Sequence, residues 1–168
     1  MQVERDDFIA AMRGVAASVT VVTTRGAAGK FGATVSAFCS VSADPPLVLV
    51  CLNSASRIAT QVRANGRFCV NILPQRATAL ADRFAGRDDA AVADRFDGVR
   101  LDPATGVGLA GATVLRCSSH SVQEAATHLV CIGQVEEIVH AKAPPLTWVH
   151  GAYHAVTPLV APTGEMCA

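Results

Sequence analysis

GATVSAFCSVSADPPLVLVCLNSASR spans residues 32–57. It opens on small polar residues, tightens into the apolar run 47–52, and closes on asparagine, serine and arginine. Pro45 and Pro46 divide it. Neither can donate to a sheet ladder, so both belong ahead of a strand over 47–53. That strand lacks polar alternation, which predicts burial on both faces. Upstream, Thr34, Ser36, Ser40 and Ser42 fall on one face of an extended chain, with Val35, Ala37, Cys39 and Val41 on the other. A solvated sheet face accounts for such a stripe; so does a hydrogen-bonding wall for a flat polar ligand. Downstream, Asn53, Ser54, Ser56 and Arg57 join the strand to a helix predicted over 54–66. Helix N-termini offer amide donors and a positive dipole end to phosphate. Ser54 and Ser56 add hydroxyls, and Arg57 a charge-assisted donor. Ordinary capping explains Ser56 as well.

The flanking sequence reads mainly as strands. The segment 18–25, SVTVVTTR, is largely β-branched and reads as a strand. A turn at 26–30 makes it one arm of a hairpin with the extended segment 31–42. Strands follow at 67–73, 112–125 and 127–141, the last two long enough for an antiparallel pair. One or two short strands lie in 144–156. The helices are short. One is capped by Asp6 or Asp7 and spaces Phe8, Ile9, Met12 and Val15 along a face. Another ends at Gly86. The glycine-rich, acidic segment 87–111 reads as a long surface excursion. Many antiparallel strands with few helices predict a mainly β protein, a closed or half-closed barrel with short peripheral helices. Residues 1–156 make one domain, and 157–168 a tail.

The composition narrows the function. Hydrophobic residues make up 51% and aromatics only 5%, so the core is built from aliphatic side chains and cysteine. Fourteen basic residues balance fourteen acidic ones, without the basic footprint of a nucleic-acid binder. No apolar run approaches the length of a membrane span, and the N-terminus lacks the apolar stretch of a signal peptide. These features point to a cytoplasmic protein with neither nucleic-acid nor membrane partners.

Of six cysteines, Cys39, Cys51, Cys69 and Cys131 sit in strand-forming segments and read as reduced core residues; Cys167 falls in the tail. Cys117 and His120, and His128 and Cys131, have metal-like spacing. Residues three apart on a strand point to opposite faces, so no metal site is expected. There is no dinucleotide-binding glycine fingerprint and no phosphate-binding P-loop.

Six segments occur in an order that resembles the flavin reductase family, the small NAD(P)H:flavin oxidoreductases of two-component monooxygenases. They are SVTVVTTR, the 32–57 stretch, GRFCVNIL, LADRFAG, THLVCIGQVE and PLTWVHGAYH. The resemblance covers about residues 7–156. It implies an antiparallel split β-barrel of the FMN-binding type, usually homodimeric. It further implies that NADH, or NADPH, reduces FMN or FAD, and that reduced flavin leaves for a partner monooxygenase. By position, Thr34, Val35, Ser36 and Ala37 would line the flavin ring. Cys51, Leu52 and Asn53 would run beneath the ring or ribityl chain, and Ser56 and Arg57 would take the phosphate. Phe84, Ala85, Gly86 and Arg87 match a segment beside the flavin, Tyr153 matches the closing aromatic, and His128 the histidine bordering the nicotinamide pocket. Ala126-Thr127-His128 stands where many members have Gly-Asp-His, which removes a carboxylate. Arg87, Arg95 and Arg100 offer contacts to a 2′-phosphate. Hydride chemistry belongs to the cofactor, so the protein needs to orient it, with no strong nucleophile of its own. Two other readings stand beside this one: a flavin-binding module without turnover, and a protein-interaction domain on the same barrel.

Overall fold

The computed structural model describes residues 3–159. Its elements run α1 (Arg5–Arg13), β1 (Ala17–Ser18), β2 (Thr20–Gly26), β3 (Gly29–Val35), β4 (Phe38–Ala43), β5 (Pro46–Asn53), α2 (Arg57–Asn65), β6 (Arg67–Ile72), α3 (Thr78–Phe84), β7 (Thr113–Ala125), β8 (His128–Val139), β9 (Leu146–Val149) and β10 (Ala152–Ala155). Seven strands form one antiparallel sheet in the order β3-β2-β6-β7-β8-β5-β4. A second sheet has the order β1-β9-β10. The large sheet rolls until β3 approaches β5. The result is the split barrel, with β3 and β4 as its hydrogen-bonding edges.

Two hydrophobic clusters share the sheet. Inside the barrel, Val22, Val50, Leu52, Phe68, Val70 and Cys131 meet Ile58, Ala59 and Val62 of α2. Outside it, Val21, Cys69 and Val114 meet Ala81 and Phe84 of α3 together with Phe96, Val107 and Leu109. The alternation of Val21 and Val22 on β2, and of Phe68 and Cys69 on β6, is the period-two pattern that makes one sheet wall two cores. Ser56 caps α2 by accepting from the Ala59 amide, and Gly66 closes it in the left-handed region at φ 66°.

Several expectations are corrected. The hydroxyl stripe does not exist. The chain leaves β3 after Val35 and re-enters at Phe38 on the opposite edge of the sheet, so Thr34 and Ser40 belong to different strands. A bulge between Ser40 and Ser42 breaks the alternation further. β5 is fully buried on one face only, through Val48, Val50 and Leu52; Leu47, Leu49 and Cys51 are half-buried. Pro46 opens that strand, a position a proline can hold. Cys39 is exposed because it sits on edge strand β4. The N-cap of α1 is Glu4, with no side-chain cap; Asp6 and Asp7 lie in its first turn. No α1 residue is buried. The segment 87–111 is more than a surface excursion, since Phe96, Val107 and Leu109 enter the outer core. Cys117 is buried while His120 is exposed, so that pair does not converge. Cys167 lies outside the described residues, as does the tail beyond Leu159. Among the described residues no helix is long and apolar enough to cross a membrane.

Burial pushes the thiols of Cys69 and Cys117 up to about 12 and that of Cys131 to about 11. The thiolate is the reactive form. In the native protein at mild alkaline pH, iodoacetamide should label Cys39 and spare these three, which peptide mass spectrometry checks. Labelling of Cys69, Cys117 or Cys131 at the Cys39 rate would contradict the packing.

Candidate functional site

A cavity of about 250 Å³ opens where β3 ends. Thr34 and Val35 of β3 and the following Ser36 form one wall. Ala85 and Arg87, just beyond α3, form the second, and Trp148 of β9 with Tyr153 of β10 the third. The two aromatic rings meet edge-on, with centroids 4.9 Å apart. Trp148 is the chain's sole tryptophan and Tyr153 its sole tyrosine. The Thr34 hydroxyl donates to the Ala81 carbonyl at 2.7 Å, fixing α3 against β3. Gly32 permits this close approach: a Cβ there would lie 2.6 Å from the Phe84 ring. The amides of Ser36 and Ala37 have no protein acceptor among the described residues. Amide donors beside an aromatic wall suit a flat ring with polar edges.

Asp82 ties the cavity together. Its Oδ1 accepts from the Tyr153 hydroxyl at 2.7 Å and pairs with Arg87 at 3.1 Å. Burial, and then the Asp82 hydrogen bond, push the Tyr153 phenol up to about 12 from its ordinary 10.0. The protonated phenol therefore stabilises the fold fully below pH 10, and that contribution disappears as the pH climbs through 12. In Asp82→Asn the tyrosinate absorbance should titrate at lower pH than in the native protein. It should stay above the ordinary value, because burial, the larger cause, persists. An unchanged titration would contradict the Asp82 contact.

A second cavity, of about 390 Å³, lies at the other end of β3. Lys30, Phe31 and Arg57 face Asp89, Asp94 and Arg95 across it. The Arg57 guanidinium lies 4.7 Å from the Phe31 ring centroid, and Arg95 5.0 Å from it. Arg95 is a strut. It donates to both carboxylate oxygens of Asp89 and to the carbonyls of Gly32 and Phe84, so it is committed to structure and not free for a 2′-phosphate. Arg57 forms no ion pair with a described acid. The Asp94 carboxyl is held below its usual 3.8, first by the Phe96 amide and then by Lys30.

The remaining predicted residues are distributed around these cavities. The Cys51 amide donates to the Ala37 carbonyl, which ties β5 to the turn between β3 and β4; neither residue lines the first cavity. The Leu52 side chain is inside the barrel and Phe84 is wholly buried in the outer core, so both support walls from behind. Ser56 donates to the Asn53 carbonyl besides capping α2. Gly86 sits at φ 85°, where the chain turns toward Arg87. His128 pairs with Asn53 across β5 and β8, and its Nδ1 lies 2.9 Å from the Thr127 hydroxyl, on an exposed rim. Sequence reasoning missed Trp148, Asp82, Lys30 and Phe31. The single tryptophan in an aromatic-poor chain was the available signal; Asp82 had none, since its partners are distant in sequence.

The family model for the flavin reductase like domain matches residues 12–157. The chain belongs to the flavin reductase family. It is 37% identical over 147 residues to the 4-hydroxyphenylacetate 3-monooxygenase reductase component of Salmonella dublin, covering 83% of this chain and 85% of the relative. It is 39% identical over 158 residues to the FMN reductase (NADH) RutF of Ancylobacter novellus, covering 92% and 86%. Among solved structures it resembles the Streptomyces globisporus C-1027 NADH:FAD oxidoreductase SgcE6 in complex with NAD and FAD fragments, with a TM-score of 0.82, 27% identity, and coverage of 94% of this chain and 98% of the other. The two cavities beside β3 are lined by residues that lie between Val19 and Tyr153 in the sequence.

Proposed function

We propose that this protein is an NADH-preferring flavin reductase that supplies reduced flavin to a partner monooxygenase. The carrying observation is the aromatic-walled cavity at the end of β3, lined by Ser36, whose amide has no protein acceptor among the described residues. FMN, or FAD, bound there would supply the hydride acceptor for NADH. The protein's part is to orient the ring and exclude water. Thr34, Val35, Ser36 and Ala37 meet the ring's polar edge, and donors there stabilise negative charge on the reduced ring. Trp148 and Tyr153 close the pocket with Ala85, Gly86 and Arg87. Cys51 and Asn53 run along the ribityl chain, Arg57 and Ser56 take the phosphate, and His128 borders the nicotinamide. Residues 1–156 form the functional domain. It works in the cytoplasm as a homodimer, supported by the apolar surface that α1 leaves open at Phe8 and Met12, with Val15 just beyond the helix.

The test uses the purified chain with NADH and FMN. NADH absorbance should decay only when flavin is present, and FMN should quench Trp148 fluorescence. Quenching without NADH consumption would replace the enzyme by a flavin-binding module; no quenching would remove the flavin reading.

The phosphate assignment has its own check. Removing a charge-assisted contact costs about 1.5–3 kcal/mol, so Ser56→Ala with Arg57→Ala should weaken FMN binding about tenfold or more. Riboflavin, which lacks the phosphate, should bind nearly as before. Equal weakening of both ligands would rule out the assignment.

A further inference from the structure

On the far side of α3 from the ring cavity lies another groove, of about 590 Å³. Ala79, Leu80 and Arg83 of α3 line it, whereas Ala81 is buried in the outer core, Asp82 bonds Tyr153, and the following Ala85 lines the ring cavity. At 100° per residue these two sets fall on opposite sides of the helix. Arg76 enters the groove from before α3, and Arg100 from the 87–111 segment. Three guanidinium groups thus line one concave space from three separate segments. The single carboxylate lining it is Asp88. None of the three arginines forms an ion pair with a described acid. Arg83 Nε is buried and has no hydrogen-bond partner. A buried donor left unsatisfied is costly, so Arg83 calls for a partner that no described protein group supplies.

We propose that this groove is a second anion site, separate from the flavin cavities, that takes the diphosphate of a nucleotide. Guanidinium forks match phosphate oxygens two at a time. The apolar side of the groove, formed by Leu80, Val99 and Ala110, suits a base or ribose beside the charge. Its volume is that of a small-molecule site. The diphosphate belongs either to the nicotinamide dinucleotide or to a separate nucleotide; the chemistry of recognition is the same.

The experiment titrates FMN-saturated protein with ADP by calorimetry, and repeats it with adenosine. ADP should bind one-to-one, weaken as salt rises, and bind about tenfold or more weakly in Arg76→Gln with Arg100→Gln. Adenosine should not bind. Both substituted side chains are exposed, so the double variant should keep its melting temperature and bind FMN as the native protein does, read from Trp148 fluorescence. A rise of about tenfold in the NADH KM of the double variant would assign the diphosphate to the dinucleotide; an unchanged KM alongside lost ADP binding would assign it to a separate nucleotide. No ADP binding at millimolar concentration, or binding unaffected by the double substitution, would overturn the proposal. A protein that binds ADP here yet fails to consume NADH with FMN would refute the reductase reading alone.

Discussion

Asn71→Ala should lower the unfolding free energy by about 3–5 kcal/mol, the sum of orphaned buried groups at about 1–3 kcal/mol each and of lost packing. Asn71 is wholly buried on β6. Its amide nitrogen donates to the Val21 carbonyl at 2.7 Å and to the Thr23 hydroxyl at 3.1 Å. Its carbonyl oxygen accepts from the Leu109 amide at 2.7 Å. Thr23 in turn donates to the Val107 carbonyl at 2.9 Å. The side chain thus fastens the irregular 87–111 segment to the sheet, and alanine leaves a buried amide and a buried carbonyl without these partners. Such a loss is a large fraction of the roughly 5–15 kcal/mol that holds a domain folded. Urea unfolding measures it. A change below about 1 kcal/mol would show that water or rearrangement replaces the contacts, against the burial described here. Asn71→Asp should not rescue, because it removes the amide donor and places a carboxylate in the core.

Arg95→Ala should cost about 2–4 kcal/mol, dominated by two charge-assisted bonds to the carbonyls of Gly32 and Phe84. The Asp89 pair adds little, because Asp89 is about half-exposed and regains water. Arg95 joins β3 to the end of α3 and to the 87–97 loop, the elements between the two cavities, so its loss should shift their walls and lower FMN affinity by about tenfold, equivalent to about 1.4 kcal/mol of binding free energy. Arg95→Lys should restore little, since one ammonium cannot reproduce four directed bonds. Wild-type FMN affinity in Arg95→Ala, read by Trp148 fluorescence, would mean that the cavities do not depend on the strut.

Much of the fold was legible because burial writes itself into period. The long pair 112–125 and 127–141 formed as its pattern requires; the helix expected over 54–66 begins at Arg57, and the segment 18–25 is divided, with Ser18 in the small sheet and Thr20–Gly26 in the large one. The amphipathic spacing of α1 is present, but nothing described here covers its apolar face. The cavity residues 34–36, 85, 87 and 153 were legible through order and resemblance, and they line one space.

What the sequence by itself determined was the mainly β character, the antiparallel pairing of neighbours, the family, and which segments carry small polar residues. Where the chain changes sheet edge was decided only in three dimensions. An extended run such as 32–43 looks continuous, because each residue's local preference is satisfied either way; the turn at Ser36 and Ala37 is set by β3 pairing with β2 while β4 pairs with β5. Tertiary structure also decided which charges are free. Arg95 and Arg57 are indistinguishable as letters, yet one is held by four hydrogen bonds and the other lies over Phe31 without an acid partner. The stretch 32–57 therefore supplies Thr34, Val35 and Ser36 to the cavity at the end of β3 and Arg57 to the cavity at its start. The separation between them is set by β3 and the Arg95 strut, and β5 only supports it from the barrel side.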